Sequence, residues 1–500
     1  MQYSPFMLTL PAALLLSLTP HAHAAGYYTS DVGVRAFSRG GAYVAGANDL
    51  LAMWYNPAAL TRVKDGLLTV DVAGVSQWSR FDRADYPGEG PPDGDGNPTD
   101  LINPAVENQS GAFLIPHIGA AWDFGLPDTS FAVGFYPPYA PDVSYPADGP
   151  QRYSLTDSLV IQTFTGVSAA HRFWDRLSVG VGASWNVLVV EQELKVNIPF
   201  DTENPTAVED PKYDVAFGVR GEDRGALAWN LGLLYEPPSN RWAVGLMMQA
   251  PTRFEAKGHM RADFSDNFFR TDENLGVIDA DTARDNNISF AVTMPLILKA
   301  GVLVRPIDNL EIELAGVWEG WSVIQEIVVT DVNMTVPVDK ENPLGAALGL
   351  EDIQITDDIV LPAGYRDAWS LRLGGEWWPD DAWAVRAGMF YEISAVPETS
   401  MGVGLMDGNK AGYGLGGTWQ AHKRIGLDLG MMQTFVPKQT LENSELRSIM
   451  LNWQTGEMID GRPIGDGTIQ GRNLMIGGGV NYAFGKHPER TVKLGHAPKG

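Results

Sequence analysis

Cysteine is missing from all 500 residues. That excludes disulfide scaffolds, thiolate metal centres, iron–sulfur clusters and cysteine nucleophiles. Basic residues are scarce: 36 Lys and Arg stand against 61 Asp and Glu, a formal charge of −25. A nucleic-acid partner is therefore not expected, because phosphate backbones need cations. Charge of either sign makes up only 19 % of the chain, against ~25 % in ordinary soluble domains. After residue 24 there is no run of ~18 apolar residues, so a helical membrane bundle is excluded. No HExxH, GxSxG elbow or P-loop occurs, and the eight His are scattered. No catalytic residue, metal ligand or cofactor is assigned, and the chain is not expected to be an enzyme. Asp93-Gly94-Asp95-Gly96-Asn97 begins like a calcium loop, but Pro104 stands where the closing Glu belongs, so a turn is expected.

The amino terminus reads as an export signal. Phe6 to Leu18 is apolar but too short to remain in a bilayer, and Ala22-His23-Ala24 forms a small-x-small cleavage site. The signal is placed at 1–24. Its n-region departs from the pattern, since only the α-amine of Met1 carries positive charge.

Beyond residue 65 the dominant signal is alternation with a period of two. Leu177, Val179, Val181, Ala183, Trp185, Val187 and Val189 share one face; Ser178, Gly180, Gly182, Ser184 and Asn186 share the other. The run from Ile288 through Phe290 and Val292 to Val304 reads as one further apolar face. Fourteen such segments are expected: 67–82, 112–124, 130–138, 156–172, 176–190, 225–236, 241–254, 287–305, 309–320, 369–378, 382–392, 411–420, 424–434 and 472–484. An even count suits an outer-membrane barrel. Connections such as Trp174-Asp175 and Pro379-Asp380-Asp381 are very short, whereas 83–110, 191–221, 255–286, 321–367 and 435–470 are long. Short turns at one end and long loops at the other are the asymmetry of such barrels. The fold class is therefore an all-β membrane protein, a 14-stranded antiparallel barrel.

Charge and aromatics fit that reading. The 83–110 loop carries six acids and the 321–367 loop nine, giving an acidic outer rim. This rim serves solubility and spacing, or binds divalent cations that bridge to lipopolysaccharide. Arg372, Glu376, Arg386, Glu392 and Asp428 fall opposite the large apolar residues, so they are expected in the lumen. On the lipid face each midplane Arg would cost ~2–4 kcal/mol. Trp185, Trp229, Trp242, Trp318, Trp369, Trp377, Trp383, Trp419 and Tyr482 fall on the apolar face near strand ends, as interfacial girdles do.

Residues 25–65 do not alternate. They are rich in Gly and Ala and suit the inside of a lumen. Gly33-Val34-Arg35-Ala36, Gly40-Gly41-Ala42, Ala47-Asn48-Asp49 and above all Trp54-Tyr55-Asn56-Pro57-Ala58-Ala59-Leu60 resemble the N-terminal hatch of the long-chain fatty acid outer-membrane transporter (FadL) family. That family also includes porters of aromatic hydrocarbons. Arg386-Ala387-Gly388-Met389-Phe390-Tyr391 with Ser394-Ala395-Val396-Pro397, and the terminal Asn481-Tyr482-Ala483-Phe484, are similar to later parts of the family. The resemblance covers most of 26–484. One departure is the basic tail 485–500, where such barrels end on the terminal aromatic; it is expected in the periplasm.

The resemblance implies passive uptake of hydrophobic compounds (long-chain fatty acids or related hydrocarbons) through a hatch-gated barrel, with exit sideways into the bilayer. It implies hatch 25–65, barrel 66–484, and the motif Asn56, Pro57 and Ala58. Burial of an acyl chain gains ~0.8 kcal/mol per CH₂, so release is the harder half of transport. The family's side opening lies at a kink in the third strand, where this chain has Pro137-Pro138. Two prolines break a ladder; they either make that kink or merely end the strand. Tyr27, Tyr28, Phe37 and Trp54 are candidates for the apolar wall. Arg35, Lys299, Arg305, Arg372 and Arg386 are candidate carboxylate partners, with Arg35 and Arg386 placed in the binding set. Expected partners are the hydrophobic cargo, outer-membrane lipids and lipopolysaccharide, and the barrel assembly machinery. The chain is expected to be a monomer. The alternative is a general diffusion porin, or a structural or adhesion barrel, whose N-terminal segment is only structural.

Overall fold

A computed structural model describes residues 31–485, except 91–96, 98, 199–208, 271–275, 349–350, 406 and 453–457. The export signal, Tyr27, Tyr28, the calcium-like residues 93–96 and the tail from 486 lie outside the described residues.

Fourteen strands form one antiparallel sheet: β1 Gly66–Arg83, β2 Phe113–Trp122, β3 Thr129–Tyr139, β4 Asp157–Phe173, β5 Leu177–Asn197, β6 Asp214–Tyr235, β7 Trp242–Gln249, β8 Ile297–Ile307, β9 Leu310–Glu319, β10 Ala368–Trp377, β11 Trp383–Ile393, β12 Lys410–His422, β13 Ile425–Leu441 and β14 Gly467–Phe484. Each pairs with its sequence neighbours. β14 pairs back onto β1 from Gly66↔Phe484 to Arg83↔Gly467. The sheet closes on itself, so no strand edge is left for lipid to meet.

Alternation decides which side chain sees lipid. Along β5, Val179, Val181 and Trp185 are exposed on the outer surface while Ser178, Gly180 and Gly182 are buried inside. Trp229, Trp242, Trp369, Trp377, Trp383, Trp419 and Tyr482 are exposed on the outer face and Trp318 is half-buried. The five charged residues expected in the lumen are all buried there. At the short-turn end, Trp174 and Asp175 both take positive φ (52° and 56°). That twist matches the strands that a two-residue hairpin joins.

Two expectations need correction. The 191–221, 255–286 and 435–470 connections are in large part wall rather than loop. β5 and β6 run on to Asn197 and back from Asp214, and Thr252–Asp263 pairs with Thr282–Met294 above β7 and β8. Above the bilayer the outer face meets water, so Glu191, Glu193 and Arg220 replace apolar residues there and the alternation fades from the sequence. The run from Ile288 to Val304 is also not one face. Ile288 and Phe290 are buried, while Leu298, Val302 and Val304 are exposed. The strand breaks at Pro295, which has no N–H for a ladder, and resumes with the opposite parity. A buried apolar cluster including Phe217, Met260, Phe264, Ile288, Met334 and Ile355 builds the crown above the barrel.

Val181→Arg places a charge on the lipid face and should destabilise the barrel by about 2–4 kcal/mol. Urea titration of the folded fraction in lipid vesicles checks this. The same change at Val360, exposed on a crown strand, should be near neutral; equal effects would mean that β5 does not face lipid.

A plugged lumen as the candidate transport site

Residues 31–63 lie inside the barrel and are buried almost throughout. A short helix, α1 Val34–Phe37, is turned back by Gly40 and Gly41, both at positive φ. A second, α2 Ala52–Tyr55, runs to Asn56, which is extended. The Asn56 Oδ1 accepts from the Ala58 N–H (3.2 Å), capping the 3₁₀ turn Pro57–Arg62, and Pro57 occupies its first position. The Asn56 amide donates to Val44 O and to Leu233 O of β6, each at 3.0 Å. One side chain thus ties two turns of the hatch to each other and to the wall. The wall makes room with glycine. A Cβ on Gly180 would lie 2.3 Å from Ala58 N, and one on Gly414 would lie 1.9 Å from Phe37 O.

Buried ion pairs fix the other side of the hatch. Arg39 meets Glu311 (2.6 Å), Glu313 (3.5 Å) and Glu376 (3.5 Å). Arg35 meets Glu376 (3.4 Å) and Asp49 (3.6 Å). Arg386 meets Glu376 (3.0 Å) and Asp428 (3.3 Å). Arg372 reaches Asp31 (2.7 Å) and Glu392 (3.1 Å). The Glu313 carboxylate also accepts the Val44, Ala45 and Gly46 N–H groups at 2.7, 2.7 and 2.8 Å.

The candidate residues therefore divide. The Arg35 and Arg386 guanidinium groups are engaged with carboxylates that join hatch and wall. Phe37 packs in a cluster with Val34, Ile115, Phe390 and Met432. Trp54 stands edge-on to Tyr136 of β3 and Phe164 of β4, both at 5.6 Å. The sequence reading missed Glu311 and Glu313. Their Glu-x-Glu spacing in β9 puts both on one face, the same argument that placed Arg372 and Glu376 in the lumen. Arg305 meets Glu311 at 3.3 Å. Lys299 differs from every arginine in the candidate set. It is buried, donates to Trp54 O (3.2 Å), and lies 4.3 and 4.9 Å from the Trp54 and Tyr55 rings. Among the described residues no carboxylate lies within 4 Å of its ammonium.

A single buried apolar cluster runs from Leu51, Trp54 and Leu60 in the hatch, past Tyr136 and Phe164, to Val396, Met401 and Val403 in the loop after β11. In that loop Asp407, although 3.2 Å from Lys410, has its carboxyl pushed up to about 7 by burial. A small cleft opens on the column between Met53, Tyr136, Phe164, Ala228, Asn230 and Gln249. Beside it β3 departs from alternation: Tyr136, Pro137 and Pro138 are buried in succession. Pairing of β2 with β3 stops at Ile118↔Phe135, and the β3–β4 register slips between Tyr136 and Tyr139.

The profile of outer-membrane transport proteins (OMPP1/FadL/TodX) matches residues 15–484. The chain belongs to that family. It is an outer-membrane barrel of the FadL/TodX type. Among curated relatives, the long-chain fatty acid transport protein of Escherichia coli O6:H1 is 21 % identical over 333 residues, 64 % of this chain and 65 % of that protein. Its counterpart in Escherichia coli K12 is 21 % identical over 204 residues, 41 % of this chain and 40 % of its own length. The aligned part thus spans about two-fifths to two-thirds of those relatives. A Pseudomonas aeruginosa FadL homologue superposes with a TM-score of 0.69 at 16 % identity, covering 92 % of this chain and 99 % of its own. The Pseudomonas putida toluene transporter TodX superposes at 0.57 with 13 % identity, covering 93 % and 100 %. At such identities the superpositions establish the fold alone, that of the FadL-type barrel.

Glu376→Ala leaves Arg35, Arg39 and Arg386 short of a shared counter-charge inside the barrel. Breaking a buried pair costs about 3–5 kcal/mol. Ion conductance across planar bilayers should appear or rise, while heat-modifiable mobility on gels shows the barrel still folded. A variant as tightly sealed as the parent would show that these pairs do not hold the hatch.

Proposed function

We propose that the protein takes long-chain fatty acids across the outer membrane by passive diffusion. The acyl chain lies along the apolar column and the carboxylate sits on Lys299. The observation that carries this reading is the buried ammonium of Lys299. It is caged by Trp54 and Tyr55, with Glu319 near enough to feel its charge but no carboxylate within 4 Å among the described residues, at the hatch end of a continuous apolar column. A buried cation without a directly paired carboxylate is costly, and an anionic head group that arrives with an apolar tail reduces that cost. The names of the curated relatives agree with an acidic cargo. The names of several structural relatives, toluene transporters and a monoaromatic hydrocarbon channel, keep neutral hydrocarbons as the second reading. A general diffusion pore is disfavoured because residues 31–63 fill the lumen.

Release follows from the wall. An acyl chain held at ~0.8 kcal/mol per CH₂ leaves slowly into water, but at little cost into lipid. The inward turn at Pro137-Pro138 and the unpaired edge of β2 beyond Ile118 support a sideways exit there. The hatch gates the lumen from the periplasmic side.

Lys299→Met keeps the bulk and removes the charge. A hydrogen bond to a charged group contributes about 1.5–3 kcal/mol, so affinity for a long-chain fatty acid should fall ~10–100-fold. Affinity for toluene should hardly change, and titration calorimetry of the detergent-solubilised protein measures both. Equal losses would make Lys299 a packing residue, and no loss would place the carboxylate elsewhere.

A further inference from the structure

The wall is interrupted a second time, at the other edge of the same panel of strands. β6 pairs with β7 from Tyr235↔Val244 up to Asn230↔Gln249. It pairs with the continuation of that strand from Glu222↔Lys257 to Ala216↔Asp263. Between these ends residues 223–229 and 250–256 have no partners in register. At the lower end the Ala250 N–H donates to Trp229 O (3.0 Å), and higher up the Glu255 N–H donates to the Asp223 carboxylate (2.8 Å). The unpaired stretch is about 20 Å long at 3.3 Å per residue.

The chain builds this interruption with three devices. Pro251 lies at the break in the seventh strand, and Pro295 at the break in the eighth. Thr252↔Met294 and Gln249↔Ile297 pair on either side of them, so the two strands kink together. β6 itself bulges, with a register shift against β5 between Asp223 and Ala226. The gap starts at the level of the Trp185 and Trp229 girdle, and its upper part carries the exposed Arg224, Arg253 and Glu255. A ladder that meets lipid ordinarily leaves no backbone group without a partner, so an opening that begins at the lipid boundary is a specific feature of this wall.

Three observations connect the gap to the transport path. On the lipid side it is bordered by Leu227, 78 % exposed, with Trp185 and Trp229 beside it. On the lumen side it abuts the cleft, whose lining includes Ala228, Asn230 and Gln249 at this edge and Tyr136 at the Pro137 edge. The row Phe135–Thr165–Trp185–Leu227 runs in register from one interruption to the other. The lumen face of the panel also carries polar atoms with nothing to bond. Gln162, Asn186, Asn230, Gln249 and Thr252 are each more than nine-tenths buried, and each has a side-chain atom without a partner. Such groups are costly unless something visits them. Phe254, fully buried, closes the gap from inside together with Ala226, Leu188 and Val160.

We propose that the β6–β7 seam is a second side port. Through it, hydrophobic cargo dissolved in the outer leaflet exchanges with the cleft, Phe254 is its inner shutter, and the buried amides receive the cargo's polar end on the way. The inference rests on the uptake reading above and adds an entrance to it. Cargo reaches the cleft from lipid at one edge of the panel and leaves at the other, without crossing water.

The absence of cysteine makes the test clean. Ala226→Cys with Phe254→Cys places a thiol on each side of the seam, within one apolar cluster. Leu233→Cys with Leu246→Cys, register partners in the laddered part of the same strands, is the control. Transfer of a fluorescent polyene fatty acid is followed in proteoliposomes, oxidised and then reduced. Oxidation of the seam pair should slow transfer about fivefold or more, with recovery on reduction, because closing a gate acts on the rate; the control pair should not respond. Phe254→Ala should speed transfer, and a diazirine-bearing fatty acid should label residues 227–230 or 249–256. Equal rates for the oxidised and reduced seam pair, or labelling confined to the Pro137 edge, would overturn the port and leave the uptake reading standing. No transfer by the unmodified protein would overturn the uptake reading, and the port with it.

Discussion

Closure of the backbone ladder is the constraint on which everything else in this molecule depends. In hydrocarbon an N–H or C=O without a partner costs several kcal/mol, and water is absent to take its place. The pairing of β14 with β1 along its whole length removes the last edge. Once the sheet is closed, each strand has one face in lipid and one in the lumen, and the sequence must supply both. Large apolar residues and tryptophans go outward. Glycine, serine and the ionisable residues go inward. The excess of glycine belongs to the second face, because the hatch backbone comes within van der Waals distance of the wall at Gly180 and Gly414.

The charged side of the hatch obeys a different balance. Each of Arg35, Arg39, Arg372 and Arg386 gives up hydration to sit in the lumen, and a buried pair does little more than offset that loss. The network is therefore weak as a source of stability and strong as a source of position. Glu376 serves three guanidinium groups at once, and Glu313 binds three successive N–H groups of the hatch. Moving the hatch would expose several unpaired charges together. The apolar column beside the network has no such directional bonds. It can accept a chain of varied length and shape, while the polar side keeps the plug in register.

Much of the fold was legible in the sequence because lipid enforces contrast. Along β5 the alternation from Leu177 to Val189 names the outer face residue by residue. Where the outer face meets water the contrast is gone, and for that reason the walls beyond Val190 and ahead of Gly225 read as loops. Pro295 hid a change of parity, since a period-two pattern says nothing about a break that skips a residue. The site was legible only in part. Trp54 and the Asn56 motif could be found from their sequence, and Glu311 and Glu313 from spacing alone. The distinction between Lys299 and the lumenal arginines could not, because it depends on which carboxylates come within reach across the lumen. Asn230 and Gln249 meet on adjacent strands, and no one-dimensional pattern marks their unpaired atoms.

A closed ladder and a transport path through the wall are in direct conflict, and on the uptake reading proposed above this chain resolves the conflict with proline. Pro137-Pro138 on one strand, and Pro251 and Pro295 on a neighbouring pair, withhold the N–H that continued pairing would need. Each does so where the ladder would otherwise seal the cleft from lipid. A proline in a central membrane strand is a net loss unless the missing bond serves a purpose, and these losses fall at the two edges of one four-stranded panel, β3 to β6. Between those edges the lumen face is lined by Tyr136, Phe164 and the buried amides. The same panel packs against Trp54 and the 3₁₀ turn begun by Pro57, so the hatch and the wall breaks share a surface. A shift of the hatch at Trp54 or Pro57 would therefore change the cleft. On the proposed reading, a hydrophobic molecule held there is released sideways through these breaks.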